Sequence, residues 1–319
     1  MREVAKRAGV GIGTVSRVLN GTGYVSDETR KKIVKAMKEL DYEPPASLKS
    51  PAKKTRMIGI MVPDIEHPFF AKMMRCLDIE LSRTGCRSVF CNTGSILNRQ
   101  GDLVEMLDHK EIDGIIALGD PPVGFQGRKG RAIVCMDRVW PKDVPMIRSD
   151  HSMGGHLAAG LFLKKGCKKV VQFLGGDDFD ISCNLQYKTM ERVLTEHGCE
   201  VVSIFTIWNG LSYTYNKDVV YRYWDIIKDA DGCITSDIGA VACLVAAKEM
   251  GMEIPEKFKL IAYDGTEITN IMSPEITAIQ QDCAAIASHC VEKVLKMIDG
   301  EKVPALTEIP VSLYERGTT

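Results

Sequence analysis

Apolar positions recur at helical spacing through residues 1–42 and then give way, from Met57 on, to short apolar runs separated by amphipathic stretches. Val4, Ala5 and Ala8 give a first helix one apolar side. Gly9-Val10-Gly11 breaks it, since glycine admits the backbone angles of a sharp turn. Val15, Val18 and Leu19 resume the spacing and face inward, which leaves Ile12, Gly13, Thr14, Ser16 and Arg17 on or near the outer side of a second helix. After a turn at Gly21-Thr22-Gly23-Tyr24-Val25, Ser26 is the predicted N-cap of a third helix with acids in its first turn. Its predicted buried stripe is Ile33, Val34, Met37 and Leu40, with Arg30, Lys31, Lys32, Lys35 and Lys38 elsewhere on it. Three helices of this length make a core that can just stand alone.

The second part reads as alternating strands and helices. MIGIMV is a buried strand, and Pro68 opens a helix with Phe69, Phe70, Met73, Met74 and Leu77 inward. RSVFCN, DGIIAL and AIVCM are strands, DLVEMLDHK is a helix, and a further helix runs from about His151 to Lys165. A second round follows: KVVQFL, a helix near 184–198, VVSIF, a helix near 217–228, GCITS, a helix near 239–250, and KLIAY. A last helix, about Ala284–Ile298, and a last strand, EIPVSLY, return across both rounds. Runs this apolar between amphipathic helices imply parallel sheets covered on both faces. The predicted fold is α/β: a three-helix headpiece at 1–42, a linker at 43–56, and two doubly wound lobes in 57–319. Lobe 1 is expected at about 57–150 and 283–307, and lobe 2 at about 151–282 and 308–319. A ligand of such a pair sits in the cleft at the strands' C-terminal ends.

Charge divides along the same boundary. Residues 1–56 hold 13 Lys and Arg against 6 Asp and Glu, net +7, while the remainder of the 319-residue chain carries −8. A basic head on an acidic body suits attraction to phosphate confined to the head, although a solvated basic face has the same composition. A small, polar, cationic outer face on the second helix suits the DNA major groove; an ordinary helical hairpin is the alternative. The 11 cysteines fall between Cys76 and Cys290 with no CxxC and no metal-ligand spacing, which fits reduced core thiols. No signal peptide and no apolar run near ~18 residues is seen, so a cytoplasmic protein without a membrane span is expected.

VAKRAGVGIGTVSRVLNG followed by VSDETRKKI resembles the headpiece of the lac/gal repressor family of bacterial transcription regulators, from Arg2 to Tyr42. The resemblance implies that Ile12, Gly13 and Arg17 read bases. It implies that Thr14, Ser16, Asn20, Tyr24, Ser26 and Thr29 touch the DNA backbone or position the helix. The chemistry agrees: Arg17 can fork onto a guanine edge, Ile12 suits a thymine methyl, and hydroxyls mainly grip phosphate. Gly13 has no side chain, so one base pair fewer is read directly. Met1 stands where the family has a Thr-Ile lead-in, so the first helix is expected to lack its usual cap. In the family the linker folds on operator DNA into a hinge helix that wedges a leucine into the minor groove. Here Pro45 stands near the helix start and Pro51 takes the leucine's place, costing about 3 kcal/mol if the helix must form. A short or absent hinge helix is therefore predicted, with Leu48 a substitute wedge; a flexible linker alone is the alternative.

PDIEHPFF, MDR, SD, TSDIGAVA, AYDGTEI, TAIQQD and ERGTT extend the resemblance through the rest of the chain, to the family's periplasmic-binding-protein-like effector domain. It implies a cleft lined by Asp64, Phe69, Phe70, Asp137, Ser182, Gln186, Trp208, Ser236 and Asp264. Carboxylates at 137 and 264 would accept sugar hydroxyls, and Trp208 and Phe69 would stack. Plainer readings stand beside these. Phe69 and Phe70 are also core residues of a helix, Asp264 could cap a turn, Asp137-Arg138 could be a surface ion pair, and His151 could serve helix-start chemistry. Gln186 stands where many members have Arg, and Ser236 where many have Asn, which points from an anionic effector to a neutral sugar.

The expected function is a DNA-binding regulator, a repressor, acting as a homodimer on double-stranded operator DNA with a sugar-like small-molecule effector and no cofactor, metal or membrane. With no leucine heptads at the C-terminus, a tail-mediated tetramer is not expected. A two-lobe solute-binding protein fits the lobes but not the basic head. An enzyme is disfavoured by the lack of a nucleophile elbow, phosphate-binding glycine loop or metal-ligand set.

Overall fold

A computed structural model describes residues 1–20, 24–40, 42, 54–94, 99–127, 130–176, 182–207 and 210–319, with the backbone alone at Asn20. The predicted turn at 21–23, the linker positions Pro45, Leu48 and Pro51, and Trp208 lie outside the described residues. The chain divides into two compact units, Met1–Thr55 and Arg56–Thr319.

The first unit holds α1 (Arg2–Ala8), α2 (Ile12–Asn20) and α3 (Asp27–Glu39). Val4, Ala5, Val15, Leu19, Ile33 and Ala36 form its core. Gly9 ends α1 at φ 67°, a left-handed angle that costs glycine little. Met1 caps α1 without a side-chain hydrogen bond. Ser26 Oγ accepts the Thr29 amide at 3.4 Å and meets the Thr29 hydroxyl at 2.8 Å, so two predicted DNA-contacting residues also build the α3 cap. The predicted α3 stripe needs correction. Val34 is 44% exposed and Leu40 39%, while Ile33 and Ala36 are buried. A core this small covers only one narrow line of positions, and Val34 sits to one side of the line through Ile33 and Ala36.

The second unit contains two six-stranded sheets. The first, ordered β11-β5-β4-β3-β1-β2, is parallel throughout: β1 Met57–Val62, β2 Arg87–Asn92, β3 Gly114–Ala117, β4 Ile133–Met136, β5 Met146–Ser149 and β11 Leu306–Ile309. Helices α4 (Pro68–Arg83), α5 (Gln100–Asp108) and α12 (Cys283–Ile298) belong to this lobe. The second sheet, ordered β12-β10-β9-β8-β6-β7, comprises β6 Lys169–Gly175, β7 Glu200–Thr206, β8 Gly232–Ser236, β9 Lys259–Asp264, β10 Thr277–Gln281 and β12 Val311–Tyr314. Only its edge pair, β10 with β12, is antiparallel. It carries α6 (His151–Lys164), α7 (Leu185–Glu196), α8 (Tyr213–Arg222), α9 (Trp224–Ile227), α10 (Asp237–Glu249) and α11 (Ile268–Ile271).

The chain passes between the sheets three times, at Asp150, Asp282 and Pro310. The two aspartates cap the helices that follow: Asp150 Oδ1 accepts the Met153 amide at 2.8 Å and Asp282 Oδ1 the Ala285 amide at 2.9 Å. The third crossing corrects the sequence reading of EIPVSLY as one strand. Pro310 has no N–H to donate, and the segment splits there into β11 of one sheet and β12 of the other.

Candidate ligand cleft and nucleic-acid interface

On the first unit, α2 turns Val15 and Leu19 into the core, so the opposite side faces solvent. Ile12 is 45% exposed, Gly13 and Arg17 are exposed, and Thr14 and Ser16 are half-buried at the edge. A Cβ added at Gly13 would meet no atom within 4 Å. Tyr24, 92% exposed, lies between this helix and the Ser26 cap. The surface combines one guanidinium, hydroxyls and one apolar side chain, which is the material of major-groove contact.

In the second unit, the C-terminal ends of both sheets face a cavity of about 200 Å³. Of the residues singled out from sequence, Phe69, Phe70, Asp137, Gln186, Ser236 and Asp264 line it. Asp64 and Ser182 do not. Asp64 Oδ1 is engaged by the Glu66 amide at 2.8 Å in the loop before α4, and the buried Ser182 Oγ points to Met146 Sδ at 3.6 Å. Phe69 and Phe70 fulfil both readings: each is 5% exposed in the lobe 1 core and each lines the cavity. Their rings meet edge-on at 5.5 Å.

Asp137 follows β4 of the first sheet, and Asp264 ends β9 of the second. Both hold positive φ, 51° and 119°. Such angles are uncommon outside glycine and mark positions where the surroundings fix the backbone. Neither plainer reading of Asp137 and His151 holds, because both are buried. His151 Nε2 is 2.8 Å from Asp137 Oδ1, and its Nδ1 is 2.8 Å from the Tyr263 hydroxyl. Arg138, also buried, lies 3.7 Å from Asp120. Asp264 Oδ1 accepts the Gln281 amide at 2.7 Å, and Gln281 Oε1 accepts the Ser149 hydroxyl at 2.6 Å. Ser236 caps α10, taking the Gly239 amide at 3.2 Å.

Behind Asp264 lies a second acid that the sequence reading did not single out. Asp237 accepts the amides of Gly265 and Thr266 at 3.1 and 2.7 Å and the Thr266 hydroxyl at 2.6 Å. Burial pushes its carboxyl up to about 6 against those hydrogen bonds. Asp264 is driven well above the usual carboxylate range, first by desolvation and next by the Asp237 charge. Lys72, on α4 of the other lobe, opposes both shifts and reaches Gly265 O at 3.5 Å.

His67, His151, Tyr263 and Gln281 also line the cavity and were missed. Asp137 and Asp264 were legible because each follows a readable strand, whereas these four acquire meaning only from partners far along the chain. Among the described residues, no group of three or more His, Cys, Asp or Glu could hold a metal ion. None of their helices is long and apolar enough to cross a membrane.

Comparison with known proteins agrees with this division. Residues 1–45 match the family model "Bacterial regulatory proteins, lacI family", and residues 159–319 match "Periplasmic binding protein-like domain". The chain is 31% identical to the sucrose operon repressor of Streptococcus mutans over 98% of its own length and 97% of that protein's. It is 30% identical to the ribose operon repressor of Halalkalibacterium halodurans, covering 100% and 96%. Among solved structures it resembles a periplasmic binding protein/LacI transcriptional regulator from Alkaliphilus metalliredigens complexed with D-xylulofuranose. There the TM-score is 0.74 at 25% identity, over 83% of this chain and 99% of that one.

Proposed function

The chain belongs to the lacI family of bacterial regulatory proteins, and on that premise we propose that it is a homodimeric repressor whose hold on a near-palindromic operator is set by a neutral sugar in the interlobe cleft. Two headpieces related by the dimer axis would each lay α2 in a major groove, one helical turn or a multiple of it apart. Arg17 would fork onto guanine and Ile12 would pack on a thymine methyl, while Thr14, Ser16 and Tyr24 hold phosphate.

The observation that carries the effector class is the pairing of Asp137 and Asp264 across one cavity walled by Phe69 and Phe70. Opposed carboxylates accept hydroxyl hydrogens, and aromatic rings cover the apolar faces of a sugar. The Arg138 guanidinium of the cleft faces Asp120, and Gln186 offers no charge, so a strongly anionic ligand finds little compensation. The cleft binds and releases; no covalent step is assigned to it. Occupancy sets the angle between lobes, the angle sets the spacing of the linkers, and operator affinity follows. Linkage then requires operator to change sugar affinity by the same factor.

The test is a thermal-shift panel of mono- and disaccharides, nucleosides and sugar phosphates, followed by gel shifts on genomic fragments across salt concentrations. A neutral sugar at 100 times its Kd should stabilise by about 2.7 kcal/mol and alter the operator gel shift. Stabilisation by anions alone would overturn the neutral-sugar reading. Equal affinity for genomic and random duplex at every salt would overturn the repressor reading.

A further inference from the structure

We infer that His67 on lobe 1 and Gln186 on lobe 2 form an opposed pair of ligand-reading side chains, with His67 supplying lobe 1's hydrogen bond to a sugar hydroxyl. This rests on the sugar reading above and adds the residues that discriminate within it.

Both side chains line the cavity and both are more than nine-tenths buried, at 7% and 4% exposure. Each keeps one polar atom without a protein partner: His67 Nδ1 and Gln186 Oε1. Buried polar atoms are nearly always hydrogen-bonded, so an orphan facing a cavity points to a partner that arrives from outside. The neighbouring polar groups are already engaged. Asp137 takes His151, Asp264 takes the Gln281 amide, and Ser236 takes the Gly239 amide.

Nothing in the local structure requires an imidazole at position 67. It is the N-cap residue of α4 yet makes no side-chain cap hydrogen bond, a role Ser or Asp would fill better. Its ring leans on Phe70 at 5.5 Å, a contact that an apolar side chain would make as well. Burial holds the imidazole down at about 4, outweighing the pull of Asp64, so at neutral pH it is uncharged and one ring nitrogen can accept. Gln186 is fixed from behind. Its amide donates to the Tyr187 hydroxyl, and its backbone carbonyl lies against Gly155, where any Cβ would collide. A hydroxyl-bearing ligand placed between the lobes meets an acceptor on each wall, so it bonds to both only when the cleft is closed around it.

The experiment uses the full-length chain with His67→Leu, His67→Asn and Gln186→Leu, titrated by calorimetry with D-ribose, D-xylose, D-glucose, sucrose and cellobiose. Ligand-free melting temperatures are measured alongside. For whichever sugar the parent protein binds, each Leu variant should lose roughly tenfold in affinity. His67→Asn, which returns a polar atom near the Nδ1 position, should recover most of that loss. Ligand-free His67→Leu should melt no lower than the parent, because it removes an unsatisfied buried nitrogen. Unchanged sugar affinity in His67→Leu would overturn the inference and leave the sugar reading standing. So would parallel loss of affinity and ligand-free stability in Leu and Asn variants alike, which marks a structural role. No heat from any of the five sugars with the parent protein would overturn the sugar reading and this inference with it.

Discussion

His151 holds Asp137 in place across the lobe boundary: its Nε2 lies 2.8 Å from Asp137 Oδ1 while its Nδ1 lies 2.8 Å from the Tyr263 hydroxyl. Asp137 follows a strand of the first sheet, His151 opens the first helix after the crossing, and Tyr263 sits on β9 of the second sheet. A neutral ring bearing its proton on Nε2 satisfies both neighbours, donating to the carboxylate and accepting from the phenol. A second route has the same form, from Ser149 through Gln281 to Asp264. Each cleft carboxylate is therefore tied to residues at the crossings, and a ligand that pulls on either one acts on the pivot between lobes.

Removing the phenol should expose this coupling. Tyr263→Phe leaves His151 Nδ1 buried without a partner, a loss of about 1–3 kcal/mol in urea unfolding. Sugar affinity should fall as well, because Asp137 loses its oriented donor. Unfolding free energy equal to the parent's would show that the ring finds another partner, and the proposed relay would fail.

Asp264→Asn should raise stability and lower ligand affinity together. A carboxyl driven up in the fold contributes stability when protonated and loses it as pH rises through the folded value. The amide is spared that loss, still accepts the Gln281 amide through its oxygen, and tolerates the 119° φ better. The ligand-free melting temperature of the variant should exceed the parent's at pH 7.5, with the gap closing as pH falls. A gap that stays constant with pH would mean that Asp264 ionisation is not its source.

How far the sequence disclosed this site follows from what each residue depends on. The long apolar strands were legible because burial on both sheet faces demands an unbroken apolar run, as in β1 and β6. MIRS and TAIQQ were not read as strands. Arg148 escapes apolar patterning by pairing with Glu308 at 2.8 Å on neighbouring β11, and Thr277 and Gln281 are buried polar residues satisfied by Thr318 and Ser149. Asp137 and Asp264 could be placed because each follows a strand the pattern already marks. His151 could not, since its partner Tyr263 is 112 residues away and adjacent Asp150 is occupied with capping α6. His67 escaped for a related reason: its meaning lies in a hydrogen bond that the protein does not make.

Lys72 offers a prediction with the opposite pH trend. Its ammonium reaches Gly265 O from the other lobe and holds down the raised values of Asp237 and Asp264. Lys72→Met removes that help, so both acids should cost more to ionise. The variant should match the parent in acid, where the carboxyls carry protons, and fall behind as pH rises through about 6, the value for Asp237. Melting curves between pH 5 and pH 8 check this; a deficit that does not grow with pH would assign Lys72 a packing role alone.

On the headpiece, Arg17 and Gly13 should respond in opposite ways to substitution. Arg17→Ala removes the one guanidinium on the exposed face of α2 without disturbing Val15 or Leu19, so folding should hold while discrimination falls. A lost bidentate base contact is worth about 1–3 kcal/mol, read as the ratio of specific to random-duplex affinity in gel shifts at one salt concentration. Gly13 lies on the same face with open space where a Cβ would project. Gly13→Gln should therefore fold at least as well, since glycine inside a helix costs about 0.5–1 kcal/mol relative to alanine and glutamine is a good helix former. Its new amide should add a preference at one half-site position, adenine being the base that glutamine pairs with bidentately. Selection from a randomised half-site would show that preference in Gly13→Gln and its absence in the parent. An unchanged selection profile would mean that position 13 does not face base edges, and the placement of α2 in the groove would have to be rotated.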